Sequence, residues 1–209
     1  MPRRPRTPLG SRRALLDAAA AEFAARGYAA ANVDRIARVA RLNKAMIYYH
    51  FRSKAALYRE ILRDMFDAVG SRVRAIAASD ASPEDKIRSF IDVIAIEGEA
   101  RPHFPPMWLR EIAEGGGRVD TQTLRYAMDV LGSLGAIIDE GCRAGRFRPV
   151  NPMLIQGGIV APLMFFLATA GVRRRLDRAG AHGASKFSRE DLVTHIQHVT
   201  LAVLEGRIA

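Results

Sequence analysis

Residues 54–78 carry the pattern that most limits what this chain can become. Tyr58, Leu62, Met65, Val69, Val73 and Ile76 recur at intervals of three and four, so one apolar stripe persists for about six helical turns. A strand would throw those residues onto alternating faces, and no convincing alternating run occurs elsewhere. The stripe predicts one long helix, and such a helix must bury its stripe against others.

The same period recurs along the chain. Leu15, Leu16, Ala19 and Phe23 form a first apolar face, with Ser11 as its candidate cap and Gly27 as its terminator. Asn32 caps a second helix bearing Val33, Ile36, Ala37 and Ala40; Asn43 caps a short third and Ser53 the long fourth. Ser82-Pro83-Glu84-Asp85 is a helix start, followed by Ile87, Ile91, Ile94 and Ala95 on one face. A shorter helix spans about 107–114, and Gly115-Gly116-Gly117 reads as a loop. Leu124, Met128, Leu131, Gly135 and Ile138 mark the next core face, closing near Gly145. Residues 152–172 and 188–205 supply the last two helices, the final one facing inward through Leu192, Ile196, Val199 and Val203. The predicted fold is all-α, with about nine helices.

The long helix also crosses a boundary in charge. Residues 1–64 hold 14 Lys and Arg against 5 Asp and Glu, whereas the remaining 145 hold 18 against 17. An excess confined to one third of the chain points to a polyanionic partner for that third alone. The organisation predicted is a flexible basic arm over 1–10, a helix-turn-helix unit over 11–54 and a helical domain over 55–209. In the arm, Arg3, Arg4 and Arg6 suit either entry into a minor groove or a solvated cationic tail. The lone Cys142 excludes an intramolecular disulfide and suits a reducing compartment. His195 and His198 lie three apart without a third ligand, so no metal is expected. With no phosphate loop, nucleophile elbow or metal-hydrolase pair, neither an enzyme nor a cofactor is expected.

The stretch VDRIARVARLNKAMIYYHF contains two short helices joined by a tight turn. The second spends few residues on the core, Leu42 and Ile47, and many on cationic or hydroxyl-bearing groups. That imbalance fits a recognition helix in a major groove, where the outward face needs phosphate donors and small groups near base edges. Lys44, Tyr48, Tyr49 and His50 are the donors, Ala45 permits close approach, and Met46 can lie against a thymine methyl. Tyr48 also suits a core tyrosine with a wet hydroxyl, and His50 helix-end packing; both roles stay open. Lys54 is poorly placed beside a helix N-terminal dipole unless a phosphate lies nearby.

Gly27-Tyr28, then Asn32-Val33-Asp34-Arg35-Ile36-Ala37, then Lys44 to Phe51, then Ser53-Lys54-Ala55-Ala56-Leu57, closely resemble the N-terminal domain of the tetracycline-repressor (TetR) family. The resemblance covers about residues 11–60. It implies a cytoplasmic, homodimeric transcriptional regulator, mostly a repressor released from a double-stranded palindromic operator by a small ligand. It also implies a helix-turn-helix on a helical ligand-binding and dimerisation domain. The candidate DNA-contacting set is Arg41, Asn43, Lys44, Ala45, Met46, Tyr48, Tyr49, His50 and Lys54. Two positions depart from the family pattern. Arg41 replaces the usual turn glycine, at about 1 kcal/mol if left-handed, and offers a phosphate contact. Met46 replaces a small hydroxyl residue, which bears on the operator sequence.

Residues 153–172 carry no charged side chain over 20 residues and are followed by Arg173-Arg174-Arg175, a pattern that also suits a membrane span. Gln156, the Gly157-Gly158 pair, Pro162 and the lack of a second span argue against one. The family resemblance favours a dimer-forming helix, kinked at Pro162, with no membrane partner. The interface set is Leu154, Val160, Met164, Leu192, Ile196 and Val199. A small apolar ligand is expected among Phe104, Met107, Trp108, Arg110, Arg125, Met128, Leu131 and Phe165, for each of which plain core packing competes. The competing functions are a membrane-anchored or lipid-surface protein using 153–172, and a dimeric DNA-binding protein without a ligand.

Overall fold

The computed structural model of the protein describes residues 8–181, 183 and 186–208. Among these there are ten helices and no strand: α1 (Pro8–Ala30), α2 (Val33–Ala40), α3 (Ala45–Phe51), α4 (Lys54–Ala77), α5 (Pro83–Ala100), α6 (Phe104–Ala113), α7 (Thr121–Arg143), α8 (Pro152–Ala168), α9 (Ala170–Arg178) and α10 (Arg189–Leu204). The all-α expectation holds, with one helix more than counted from periodicity.

α4 organises the fold. Its predicted stripe is real: Tyr58, Leu62, Met65, Val69 and Val73 are all buried, each stabilising the fold by about 1.5–3 kcal/mol relative to exposure. α4 packs on α1 and α3 and also on α5, α6 and α7. One apolar cluster consequently runs from Leu15 in α1 to Leu204 in α10. We call α1–α3 the head and the helices from α5 onward the body, with α4 shared.

Local signals behave as their chemistry requires. The Asn32 side chain accepts from the Asp34 and Arg35 amides, Ser53 from Ala56, and Ser82 from Asp85 ahead of Pro83. Two polar links, the first buried and the second half-buried, tie helices together. Lys86, 3% exposed, donates to Glu140 at 2.7 Å and to the Ala77 carbonyl at 3.2 Å. Asp120 caps α7 through the Thr123 amide and receives Arg63 from α4.

Five expectations need correction. α1 starts at Pro8, so residues 8–10 of the expected arm are helical, because proline at a first helical position loses no hydrogen bond. Arg3, Arg4 and Arg6 lie outside the described residues. Ser11 is not a cap but an interior position of α1, 3% exposed. α7 buries Val130, Leu134, Ile137 and Ile138, while Leu124 and Met128 of the predicted stripe are exposed. This helix carries apolar residues on two adjoining stripes, and the buried one includes Gly141, whose missing side chain makes room for the Phe147 ring. On α10 only Ile196 of the predicted inward set is buried; Leu192 and Val203 are half-buried and Val199 is exposed. Finally, the expected 152–172 helix runs through Pro162 and breaks further on, at Thr169, where α9 turns off by 58°. No single helix among the described residues is long and apolar enough to cross a membrane.

Candidate nucleic-acid interface

One acidic side chain ties α1 to the start of α2. Glu22 on α1 accepts from the Asn32 amide at 3.0 Å and from Arg35 at 2.7 Å. Its carboxyl lies below the ordinary range, chiefly through the Arg35 hydrogen bond; burial raises it, and the Asn32 amide and the charges of Arg35 and Arg26 lower it further.

The turn between α2 and α3 is set by Arg41, at φ 57°, ψ 45°. The Leu42 amide donates to the Ala37 carbonyl at 2.9 Å and the Arg41 amide to Arg38 at 3.0 Å, an end that needs one left-handed residue. Arginine holds that conformation here, as the departure from glycine required. The Asn43 side chain then accepts from the Ala45 amide at 2.9 Å and starts α3.

α3 is seven residues long and buries only Ile47 and Phe51. Spaced four apart, these two fix which side faces the head, and the opposite side is bare. Arg41, Asn43, Lys44, Ala45, Tyr48 and Tyr49 are exposed together there, Tyr49 by 75%. Lys44 reaches Asp34 at 3.1 Å, and that hydrogen bond, followed by the carboxylate charge, raises its pKa above the ordinary lysine value. An exposed pair of this kind binds Lys44 weakly and leaves it available to a phosphate.

The other three candidates are partly withdrawn. Met46 is half-buried against the core. His50 is half-buried, its Nε2 3.0 Å from the Ser11 hydroxyl. Lys54 donates to the Ala29 carbonyl at 3.3 Å and sits 4.7 Å from the Tyr28 ring centre; burial pulls its pKa below the ordinary lysine value.

Sequence reasoning missed the contacts that anchor the head to the body. Arg110 donates to the carbonyls of Phe23 and Ala24, in the last turn before Gly27 breaks α1 at φ 73°. Glu111 is 1% exposed and accepts from the Tyr58 hydroxyl at 3.0 Å. Burial, then the Glu111 charge and hydrogen bond, raise the Tyr58 hydroxyl well above the ordinary tyrosine range. One signal was available: Phe104, Met107 and Glu111 share a helical face, which places an acid among core positions.

The candidate ligand residues do not gather round one cavity. Phe104 and Met107 are buried, and Phe104 and Trp108 pack with Phe66. Arg110 turns toward α1, Leu131 is half-buried, and Arg125, Met128 and Phe165 are exposed. A half-open cavity of about 230 Å³ lies instead where head meets body, lined by Leu16, Ala20, Ile61 and Phe104 under Arg13 and Arg101. Of the interface set, Leu154 and Val199 are exposed, Val160 and Leu192 half-buried, and Met164 and Ile196 buried. Leu154, Leu192, Ile196 and Val199 line one apolar groove between α8 and α10, together with Gly158, Pro162 and His195.

Two short helices joined by a left-handed turn, the second bare on one side, define a helix-turn-helix head on a helical body. Residues 15–61 match the family described as bacterial regulatory proteins, tetR family. The chain is similar to the HTH-type transcriptional repressor KstR2 of Mycolicibacterium smegmatis, 37% identical over 86 residues that make up 41% of this chain and 42% of the relative. It is also similar to the HTH-type transcriptional repressor NicS of Pseudomonas putida, 27% identical over 136 residues, 64% of each chain. The match thus spans less than two thirds of the length of these curated relatives. Among solved structures, the fatty acid degradation regulator FadR of Bacillus halodurans covers 92% of this chain and 98% of its own at 18% identity, with a TM-score of 0.67. The TetR family transcriptional regulator PfmR of Thermus thermophilus has a TM-score of 0.65 at 21% identity, covering 91% and 93%. These likenesses extend the shared fold over nearly the whole chain.

Proposed function

We propose that the protein is a cytoplasmic transcriptional repressor that binds a palindromic operator as a homodimer and is released by a small apolar ligand. The observation that carries this reading is the bare face of α3, where Tyr48 and Tyr49 stand exposed on a helix that buries only two residues, with Arg41 and Lys44 exposed just before it. Cationic and hydroxyl tips on such a face match a phosphate backbone, and Ala45 leaves room for a base edge. The repressor function of the relatives named above supports the same reading. The DNA-contacting residues would be Arg41, Lys44, Tyr48 and Tyr49 on the open face, with Asn43 and Ala45 at the helix start; Met46, His50 and Lys54 would contribute from its edge.

The second copy is proposed to cover the groove between α8 and α10 through Leu154, Leu192, Ile196 and Val199, bringing two recognition helices to successive major grooves. Ligand release rests on the unbroken core that α4 carries from head to body: a ligand preferring one arrangement of body helices would shift the spacing of the heads. The test is footprinting on the DNA upstream of the protein's own gene, with heparin-competed random duplex as control and sizing of the complex. A protected palindrome with two protomers per site is expected. Equal affinity for promoter and random duplex would sink the reading.

A further inference from the structure

α6 and the loop after it meet α1 and the first turns of α4, and a buried carboxylate joins two of these contacts. Arg110 holds the Phe23 and Ala24 carbonyls at 3.3 and 3.4 Å. Glu111 spends one oxygen on the Arg118 amide at 2.8 Å, and the other on the Tyr58 hydroxyl at 3.0 Å and the Arg118 guanidinium at 3.1 Å. The Arg118 guanidinium lies 4.8 Å from the centre of the Tyr28 ring, the ring that Lys54 approaches at 4.7 Å. Tyr28 and Tyr58 meet edge-on at 5.2 Å. The route from α6 to Lys54 is thus contiguous: Glu111, Arg118, Tyr28, Lys54.

The chemistry makes this link close to all-or-none. The Glu111 side chain is wholly buried, so no water is at hand to replace a donor that leaves. If the head, carrying the first turns of α4 with it, tilted away from α6, the Tyr58 hydroxyl would part from a carboxylate that cannot be solvated in place, and Tyr28 from the Arg118 guanidinium. The head therefore has one well-satisfied position against α6, and other positions require the cluster to open. Gly115 and Gly116 lie between the two partners at φ 85° and 72°, and a side chain there would meet nothing within 4 Å. Those backbone conformations fold the loop back so that Arg118 returns to Glu111.

We infer that Glu111 is a positioning residue for DNA recognition, fixing through Tyr58 and Arg118 the angle at which the body holds the recognition head. The inference rests on the operator-binding reading above.

The test uses the full-length protein, the footprinted operator, a random duplex of equal length, and hydrogen exchange of α1–α3 without DNA. In E111Q, operator affinity is expected to fall about 10-fold, in the range of a site-to-site coupling. Random-duplex affinity should change less than about 2-fold, because Lys44 and Arg41 keep their phosphate contacts. Head amides should exchange faster than in wild type while body amides do not. Y58F removes one hydroxyl only, and should move the same readouts in the same direction by less; it carries the test if E111Q fails to fold. The double variant should fall short of the summed effects, since both act on one cluster. Unchanged head exchange in the folded variants would overturn the inference, as would a parallel loss of operator and random binding. A wild-type protein that does not prefer its operator would instead remove the function proposed above, and head exchange would still decide the role of Glu111.

Discussion

Two faces of the molecule stand equally bare and are chemically opposite. Tyr49 on α3 and Leu154 on α8 are each 75% exposed. Around Tyr49 lie Arg41, Lys44 and Tyr48, groups with polar tips that water satisfies until something better arrives. Around Leu154 lie Met153, Gly157, Gly158, Ala161 and Phe165, all exposed and none with a charge. Scattered apolar residues are ordinary on a surface, but a contiguous set is not. The α3 face can wait for a partner in water; the α8 face gains most when another apolar surface covers it. The same degree of exposure thus suits the polyanion proposed for one face and the second copy of the chain proposed for the other.

The strongest way to break that comparison is to put the chemistry of one face onto the other. Leu154→Asp places a carboxylate in the proposed interface, twice in a two-fold contact. An unpaired buried charge costs roughly 3–5 kcal/mol, so the variant should sediment as a monomer at micromolar concentration and lose cooperative operator binding. Sedimentation as in wild type would show that nothing apolar covers Leu154. The second prediction acts on the other face. Lys44→Ala should weaken operator and random duplex alike and reduce the salt dependence of binding by about one ion. An unchanged slope in a salt titration would take Lys44 out of the interface.

The two faces also differed in how far they could be read in advance. The helix-turn-helix geometry was legible because its logic is local: Asn32, Arg41, Asn43 and Ser53 each act within a few residues of themselves. The stripe on α4 was legible for the same reason, being a period within one helix. α7 and α10 were misread because each has apolar residues on neighbouring stripes, and only packing against other helices chooses between them. The Arg110–Phe23 contact joins residues 87 apart, and no spacing rule reaches that far. The ligand residues failed to converge because Phe104 and Phe165, both apolar, belong to a buried face and an open one respectively.

Gly27→Ala sharpens the comparison at the hinge between head and body. Gly27 sits at φ 73°, ψ 170°, a region nearly closed to side-chain-bearing residues, and an added methyl would lie 3.1 Å from Arg110. A cost of about 1–3 kcal/mol is expected in urea unfolding. Arg110 would have to move, so the loss should appear first in the head's amides. A variant as stable as wild type would mean that α1 straightens without penalty.

The smallest effect concerns pH and separates head from body. The Glu22 carboxyl is held below its ordinary value of 4.5, first by the Arg35 hydrogen bond. A depressed native pKa contributes stability that is complete above the unfolded value and is lost as pH falls through the native one. The head should therefore loosen below about pH 4.5, as protonated Glu22 releases Arg35 and the start of α2. Glu22→Gln should flatten that acid limb by at most one proton, with the body's acid limb, to which Asp120 and Glu84 contribute, left as it was. Hydrogen exchange followed from neutral pH down through the acid limb resolves the two regions. If the glutamine variant kept the wild-type acid limb in α1 and α2, some other carboxylate would be holding the head.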